Sequence, residues 1–285
     1  EALYLFLLQK REENELSQAF TAYNTRIVTP PHGSMLPTSP VHKNIFMVAF
    51  ALGLLIPIVI IFMRENMNTR VRGRKDLENL TIPFIGEIPL FTRKKKGILG
   101  KKPQEVKAVI VKEGNRDIIN EAFRVLRTNL EFMTGKDKTS NVIIMTSFNP
   151  GSGKSFLTMN IAVSLAIKGK KVLVIDGDLR HASASSYIDS PDKGLSDYLG
   201  GRIDNLDEII VPDPKHKSMD ILPVGTIPPN PTELLFDERL KQTIDTVREQ
   251  YDYVLIDCPP VELVADTQII EKLADRTVFV VRAGL

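Results

Sequence analysis

The hydrophobic positions along the chain follow three different patterns, and each pattern predicts a different kind of structure. Residues 1–22 place leucines on one side of an otherwise charged segment, which predicts a helix. Residues 45–63 form an unbroken apolar run without a charged side chain, at the length that a membrane-spanning helix needs. From about residue 107, short aliphatic runs alternate with helical segments. This last pattern predicts an α/β domain.

The short aliphatic runs predict the strands of one sheet. A strand that is aliphatic on both faces is typical of a parallel sheet with helices on both sides. We therefore predict such a sheet for residues 107–285. The predicted strands are residues 109–111, 142–145, 172–175, 221–224, 254–256 and 278–281.

Charged residues beside the apolar run predict its orientation in a membrane. Just before the run, the permanently charged cation is Lys43. After it, residues 64–102 hold eleven Lys or Arg against four acids. The more basic side is expected to be cytoplasmic and to face anionic lipid. The predicted domains are an extracytoplasmic end with a proline-rich segment at 1–44, a transmembrane helix at 45–63, a basic juxtamembrane linker at 64–106 and a cytoplasmic domain at 107–285.

Composition adds little about partners and more about compartment. The formal net charge of +2 does not decide about nucleic acid, and we predict no nucleic-acid partner. The single cysteine, Cys258, excludes a disulfide within the chain and predicts a buried thiol in a reducing compartment. Because the sequence starts at Glu1 and ends just after a predicted strand, we expect a piece of a longer protein.

A glycine-containing turn between a predicted strand and a predicted helix is typical of a phosphate-binding loop. Residues 147–155 read Ser-Phe-Asn-Pro-Gly-Ser-Gly-Lys-Ser, with Phe148 where the generic motif has glycine. The turn at residues 151–153 still presents backbone N–H groups and a helix N-terminus to a phosphate. The predicted nucleotide contacts are Pro150, Gly151, Ser152, Gly153, Lys154, Ser155 and Phe156.

Two of the predicted strands end in carboxylates. Asp257 closes one strand, where an acid that helps to hold Mg²⁺ is expected. Asp176 and Asp178 close another, and alternate strand residues share a face, so both are expected near one metal–phosphate site. One of the two would act as a base for an incoming hydroxyl. Arg180 either steadies phosphate charge or pairs with a nearby acid.

A charged triplet lies on the helix predicted before the phosphate loop. Glu121, Arg124 and Arg127 recur every third residue, which places them near one stripe of a helix. On these residues alone, a solvated face with internal ion pairs is the simpler interpretation.

Taken together, the motifs resemble those of the bacterial tyrosine kinases that double as polysaccharide co-polymerases, the Wzc-like proteins. The loop at 147–155 is similar to that family's variant, which accounts for Phe148. Residues 174–180, 222–235 and 256–260 are similar to three further motifs of the family. The resemblance runs through nearly the whole chain. It implies a P-loop NTPase-type fold, preceded by a transmembrane helix and the end of an extracytoplasmic α/β domain.

The resemblance implies ATP- and Mg²⁺-dependent tyrosine autophosphorylation between neighbouring subunits in the bacterial inner membrane. It also implies a role in capsular or exopolysaccharide polymerisation and export. Implied partners are further copies of the chain in a ring, the polymerase and export machinery, a cognate tyrosine phosphatase and the membrane. The implied catalytic residues are Lys154, Asp176 (the base) and Asp178, the magnesium ligands are Ser155, Asp178 and Asp257, and the ring contacts are Glu121, Arg124 and Arg127.

One feature of the family is missing from the sequence. The family usually ends in a tyrosine cluster, and this sequence stops before such a tail, so we expect its scattered tyrosines to be structural.

Two alternative functions stay open. One alternative is a membrane-tethered ATPase of the partitioning class, although residues 147–153 lack the early lysine usual in that class. The other is a non-enzymatic chain-length regulator, which the intact Lys154 and three aspartates disfavour.

Overall fold

The computed structural model divides the chain into two units, Glu1–Thr69 and Arg70–Leu285. The proline-rich segment and the lysine-rich part of the linker fall largely outside the described residues, so the predictions for them stay predictions. The structure describes residues 2–21, 33, 39, 41–67, 70–78, 80–90, 109–135, 141–261 and 266–285.

The described residues of the first unit form two helices. Helix α1 spans Ala2–Thr21, and exposed ion pairs such as Lys10 with Glu13 lie along it at 2.9 Å. Helix α2 spans His42–Asn66 and contains the predicted span with about one further turn at each end. By length and composition, α2 is the one helix among the described residues that is suited to cross a membrane. The predicted extracytoplasmic α/β domain stays a prediction.

The second unit is built on a six-stranded sheet, counted over the described residues, in the order β3–β4–β2–β5–β1–β6. Neighbouring strands are parallel except for the edge pair β3–β4, which is antiparallel. The strands are β1 Val142–Ser147, β2 Val172–Asp176, β3 Val211–Pro212, β4 Met219–Leu222, β5 Tyr253–Asp257 and β6 Arg276–Val280. The helices are α3 Ile118–Thr134, α4 Lys154–Ile167, α5 Leu195–Leu199, α6 Pro231–Leu235, α7 Glu238–Gln250 and α8 Asp266–Glu271.

Helices cover both faces of this sheet, as the aliphatic strands predicted. Ile143 of β1 packs in one apolar cluster with Phe123 of α3 and Leu165 of α4. Its neighbour Ile144 packs in a second cluster with Ile244 of α7. Burying one such side chain stabilises the fold by about 1.5–3 kcal/mol. Successive strand residues therefore hold helices on opposite faces, which confirms the α/β prediction.

The prediction of a strand at residues 109–111 is wrong. The backbone N–H groups of Ile110 and Val111 both donate to the Oδ1 atom of Asn160, at 2.8 and 3.1 Å. Asn160 lies in α4 and is fully buried. The segment thus satisfies its N–H groups on a helix side chain and does not join the sheet.

Candidate functional site

The loop between β1 and α4 has the backbone shape of an anion-binding turn. Gly151 and Gly153 take left-handed φ values of 72° and 92°, which glycine adopts without a Cβ clash. The hydroxyls of Ser147 and Ser152 both donate to the carbonyl oxygen of Asn149, at 2.8 and 2.7 Å. These two bonds close the turn directly before α4, whose N-terminal N–H groups favour a phosphate.

Two phenylalanines of this region take different places. Phe148 is 54% exposed, so the residue that departs from the generic motif does not fill the turn. Phe156 packs edge-on against Phe123 with its ring centroid 6.1 Å away. Only the backbone of Phe156 therefore remains for nucleotide contact. Lys154 begins α4 and is largely buried.

The two aspartates that end β2 and β5 lie side by side. Asp176 and Asp257 are paired in the register of these parallel strands, and both are fully buried. Neither carboxylate oxygen of Asp257 has a hydrogen-bond partner among the described residues. Burial, with the charge of Asp176, raises the pKa of Asp257 to about 8, and the nearby Ser155 hydroxyl and Lys154 ammonium oppose this rise.

Asp176 is held more firmly than Asp257. Its Oδ2 atom accepts from both the backbone N–H and the hydroxyl of Ser185, each at 2.7 Å. Its Oδ1 atom accepts a longer bond, of 3.3 Å, from the backbone N–H of Asp178. Burial raises the pKa of Asp176 to about 6, and the donors of Ser185 oppose the rise.

Asp178 and Arg180 turn towards neighbouring protein groups. The Oδ1 atom of Asp178 accepts from the backbone N–H groups of Arg180 and His181, at 3.3 and 3.1 Å. Arg180 forms an ion pair with Asp266 at 3.1 Å and donates to Thr232 at 2.9 Å. Of the two roles left open for Arg180, the structure shows pairing with a nearby acid. This pairing ties the Asp176 motif to α6 and α8.

The donor set fits a hard divalent cation. Among the described residues there is no group of three or more His, Cys, Asp or Glu that could hold a metal on its own. Mg²⁺, however, usually takes one or two carboxylates and completes its shell with water and substrate phosphates. The unpartnered, buried oxygens of Asp257 are costly to leave unsatisfied, and a cation would satisfy them. Ser155 and Asp178 would be the further ligands.

The charged triplet of α3 makes contacts within the chain. Arg124 pairs with Glu121 at 2.9 Å, and both side chains are substantially exposed. Arg124 also donates to the carbonyl oxygen of Asn115. Arg127 donates to the carbonyl oxygen of Ser164 in α4 at 2.9 Å. The internal ion pair is therefore present, and the ring role stays a prediction.

Cys258 follows β5 as a free, buried thiol, as predicted. Burial raises its pKa well above the ordinary value, mainly by desolvation and then by the charge of Asp257. A thiol of this kind is inert. Of the scattered tyrosines, Tyr251 and Tyr253 are buried, in keeping with a structural role.

Sequence reasoning missed three residues of the site's surroundings. Ser185 and Asp266 belong to none of the motifs, and Thr232 was noted only as part of one. Thr232 donates to Asp266 at 2.6 Å. Their partners are distant in sequence, so no local pattern marks them.

Comparison with known proteins places the chain in a family. The family model described as an AAA domain matches residues 140–283, which include the loop and all three aspartates. The chain belongs to this AAA domain family. Its similarity to particular proteins extends beyond the matched residues, into the segments before residue 140.

The relatives of the chain include named tyrosine kinases. The chain is 33% identical to tyrosine-protein kinase wzc of Salmonella typhimurium over 98% of this chain and 39% of that protein. It is 30% identical to tyrosine-protein kinase etk of Escherichia coli over 100% of this chain and 40% of that protein. The solved kinase domain of Escherichia coli tyrosine kinase ETK superposes with a TM-score of 0.65 at 29% identity, covering 75% of this chain and 83% of that one.

These comparisons confirm the resemblance to the bacterial tyrosine kinases that the motifs indicated. The chain spans about two fifths of the length of the curated relatives it matches.

Proposed function

We propose that the chain is the kinase-bearing part of a membrane-anchored protein tyrosine autokinase that uses ATP and Mg²⁺. One observation carries the proposal: Asp176 and Asp257 are paired and buried at the ends of β2 and β5. The phosphate-type loop follows β1, which is the other neighbour of β5. The kinase names of the relatives support the same reaction.

The reaction transfers the γ-phosphoryl group of ATP to a tyrosine oxygen. Asp176 takes the proton of the tyrosine hydroxyl as that oxygen bonds to the γ-phosphorus, and the bond from the γ-phosphorus to the β–γ bridging oxygen breaks to leave ADP. Lys154 and the loop N–H groups stabilise charge that develops on the phosphate oxygens. Mg²⁺, when bound by Asp257, Ser155 and Asp178, would supply further neutralisation of phosphate charge.

The environment of Asp176 suits a base. With a pKa of about 6, this carboxyl is largely ionised at neutral pH and still accepts a proton readily. Asp257, with a higher pKa and no hydrogen-bond partner among the described residues, suits the charge-compensating role beside a cation. The two environments therefore separate the roles of the two acids.

The setting of the kinase is part of the proposal. Helix α2 would anchor the chain in the bacterial inner membrane, with residues 1–44 outside and residues 64–285 in the cytoplasm. Copies of the chain would form a ring through Glu121, Arg124 and Arg127 and phosphorylate neighbouring subunits. The phosphorylation state, reset by a tyrosine phosphatase, would regulate capsular or exopolysaccharide polymerisation and export through the polymerase machinery. The similarity to Wzc-like relatives supports these assignments.

Following the γ-phosphate tests the reaction. The chain, in detergent, is incubated with Mg²⁺, a tyrosine-rich peptide and ATP labelled in its γ-phosphate, with a chelator in the control. We expect label on tyrosine only when Mg²⁺ is present. Label released solely as inorganic phosphate would overturn the kinase proposal and favour the partitioning-type ATPase. ATP that is bound and not consumed would favour the non-enzymatic regulator.

A further inference from the structure

We propose that Ser185 is a positioning residue that sets the orientation of the Asp176 carboxylate for phosphoryl transfer. The inference rests on the proposed function, in which Asp176 is the base. Ser185 begins a short 3-10 turn, Ser185–Ile188, and is 1% exposed. It lies nine residues after Asp176 and outside the aspartate motif.

Ser185 binds a single oxygen of the carboxylate with two donors. Its backbone N–H and its hydroxyl each reach the Oδ2 atom of Asp176 at 2.7 Å. Two donors on one oxygen fix the rotation of the carboxylate about its terminal bond. The Oδ1 atom receives only the longer bond from Asp178.

The direction of these hydrogen bonds is determined by a third group. The backbone N–H of Val224 donates to the hydroxyl oxygen of Ser185 at 2.9 Å. A backbone N–H can only donate, so the hydroxyl must accept there and direct its own proton to Asp176. Oδ2 is therefore occupied by donors, and Oδ1 is the oxygen left to receive the proton of a tyrosine hydroxyl.

The surroundings hold Ser185 in this position from two sides. The segment around it contains three non-glycine residues in left-handed backbone conformations, Ala182, Asp189 and Ser190. Such backbone conformations are strained, and they persist where the structure around them holds them and often where function requires them. Val224, on the other side, is fixed because its carbonyl oxygen accepts from Ser196 at 2.9 Å. The strained segment and the segment that follows β4 thus meet at the hydroxyl of Ser185.

Ser185→Ala and a matched control distinguish a positioning role of Ser185 from a purely structural one. Ser186→Ala removes a hydroxyl of the same turn that donates to the carbonyl oxygen of Ser183 at 2.7 Å and does not contact Asp176. We expect Ser185→Ala to lower kcat for phosphotyrosine formation about 10- to 100-fold, with KM for ATP unchanged, because the nucleotide loop is not touched. Ser186→Ala should keep the parent kcat. Ser185→Thr, which retains the hydroxyl, should recover most of the loss.

The outcomes distinguish this inference from the proposed function. Equal kcat values for Ser185→Ala and Ser186→Ala would overturn the inference. So would a Ser185→Thr variant whose kcat is no higher than that of Ser185→Ala while its unfolding midpoint equals that of the parent. ADP release is measured in the same reactions. A parent that releases ADP without phosphotyrosine would overturn the kinase proposal, and the Ser185 comparison would then be read on ADP release. A parent that releases no ADP would overturn both.

Discussion

Asp176 and Asp257 are paired across the adjacent parallel strands β2 and β5, and both are fully buried. Desolvation disfavours ionisation of both carboxylates, and the charge of Asp176 adds to the effect at Asp257. Without a ligand, the site holds two buried acids and one cation, Lys154. A further positive charge would therefore stabilise the ionised forms of the acids. A divalent cation bound with a nucleotide would supply this charge. The pair Asp176–Asp257 thus links the chemistry of the site to the stability of the fold.

Asp257→Asn should change how stability depends on pH. The pKa of Asp257 is about 8 in the folded chain, against an ordinary value of 3.8 that we take for the unfolded chain. A raised folded pKa contributes stability that is complete below the unfolded pKa and is lost as pH rises through the folded pKa. Without nucleotide and divalent cation, Asp257→Asn should therefore raise the unfolding midpoint most at pH 8 to 9 and least near pH 4.

Thermal unfolding of the parent and the variant across that pH range checks this prediction. Asp245→Asn, at an exposed carboxyl on α7, is the matched control. A difference between the parent and Asp257→Asn that stays constant from pH 4 to pH 9 would contradict the assignment of the shifted group.

Gly225→Ala should destabilise the fold more than Gly169→Ala. Both glycines have left-handed φ values, of 77° and 83°, so both substitutions carry backbone strain. A Cβ atom at Gly225 would lie 2.2 Å from the Oδ2 atom of Asp197 and 2.3 Å from the backbone nitrogen of Gly194, whereas Gly169 has open space. Urea unfolding should show a loss of about 1 kcal/mol for Gly169→Ala and a clearly larger loss for Gly225→Ala. Equal losses would show that the close approach at Gly225 is absent.

Arg127→Ala should lower stability more than Glu121→Ala. Arg127 bonds the carbonyl oxygen of Ser164 and joins α3 to α4, and a hydrogen bond from a charged donor is worth about 1.5–3 kcal/mol. The pair of Arg124 with Glu121 is exposed, and such pairs contribute about 0–1 kcal/mol. Chemical denaturation measures the difference, and the reverse order would contradict the contacts.

The arginines of the α3 triplet test the ring. If Arg124 and Arg127 join subunits, the double substitution to alanine should reduce the assembled size in sedimentation while ATP binding is kept. Arg239→Ala serves as a stability control, because it removes an arginine bond to the carbonyl oxygen of Tyr198 outside the triplet and should not disperse the assembly. An unchanged sedimentation profile for the double variant would reject the ring role.

Much of the fold could be predicted because its strands are aliphatic on both faces. Residues 142–145, 172–175 and 254–256 could only be buried strands between helices, and their carboxyl ends carry the loop and the aspartates. Residues 109–111 have the same composition, and the strand prediction failed there. Their N–H groups bond Asn160, which is about fifty residues away. No local pattern records such a partner.

The site could be predicted as a set of motifs and not as a network. Lys154, Asp176 and Asp257 were identified because their residue types and positions after strands match the chemistry of phosphate transfer. Ser185 was not identified, because its hydrogen bonds to Asp176 depend on an irregular turn and on Val224, which follows β4. The pairing of Arg180 with Asp266 likewise joins residues 86 apart in sequence.

The most direct test of the central claim is phosphotyrosine formation by the Lys154→Met variant. The chain with Mg-ATP and a tyrosine-rich peptide is compared with Lys154→Met and with Lys193→Met, which removes an exposed lysine. The account predicts phosphotyrosine with the parent and with Lys193→Met, and a loss of about 100-fold or more with Lys154→Met, because the γ-phosphate charge loses its cationic partner. Phosphotyrosine formed at the parent rate by Lys154→Met would contradict the account.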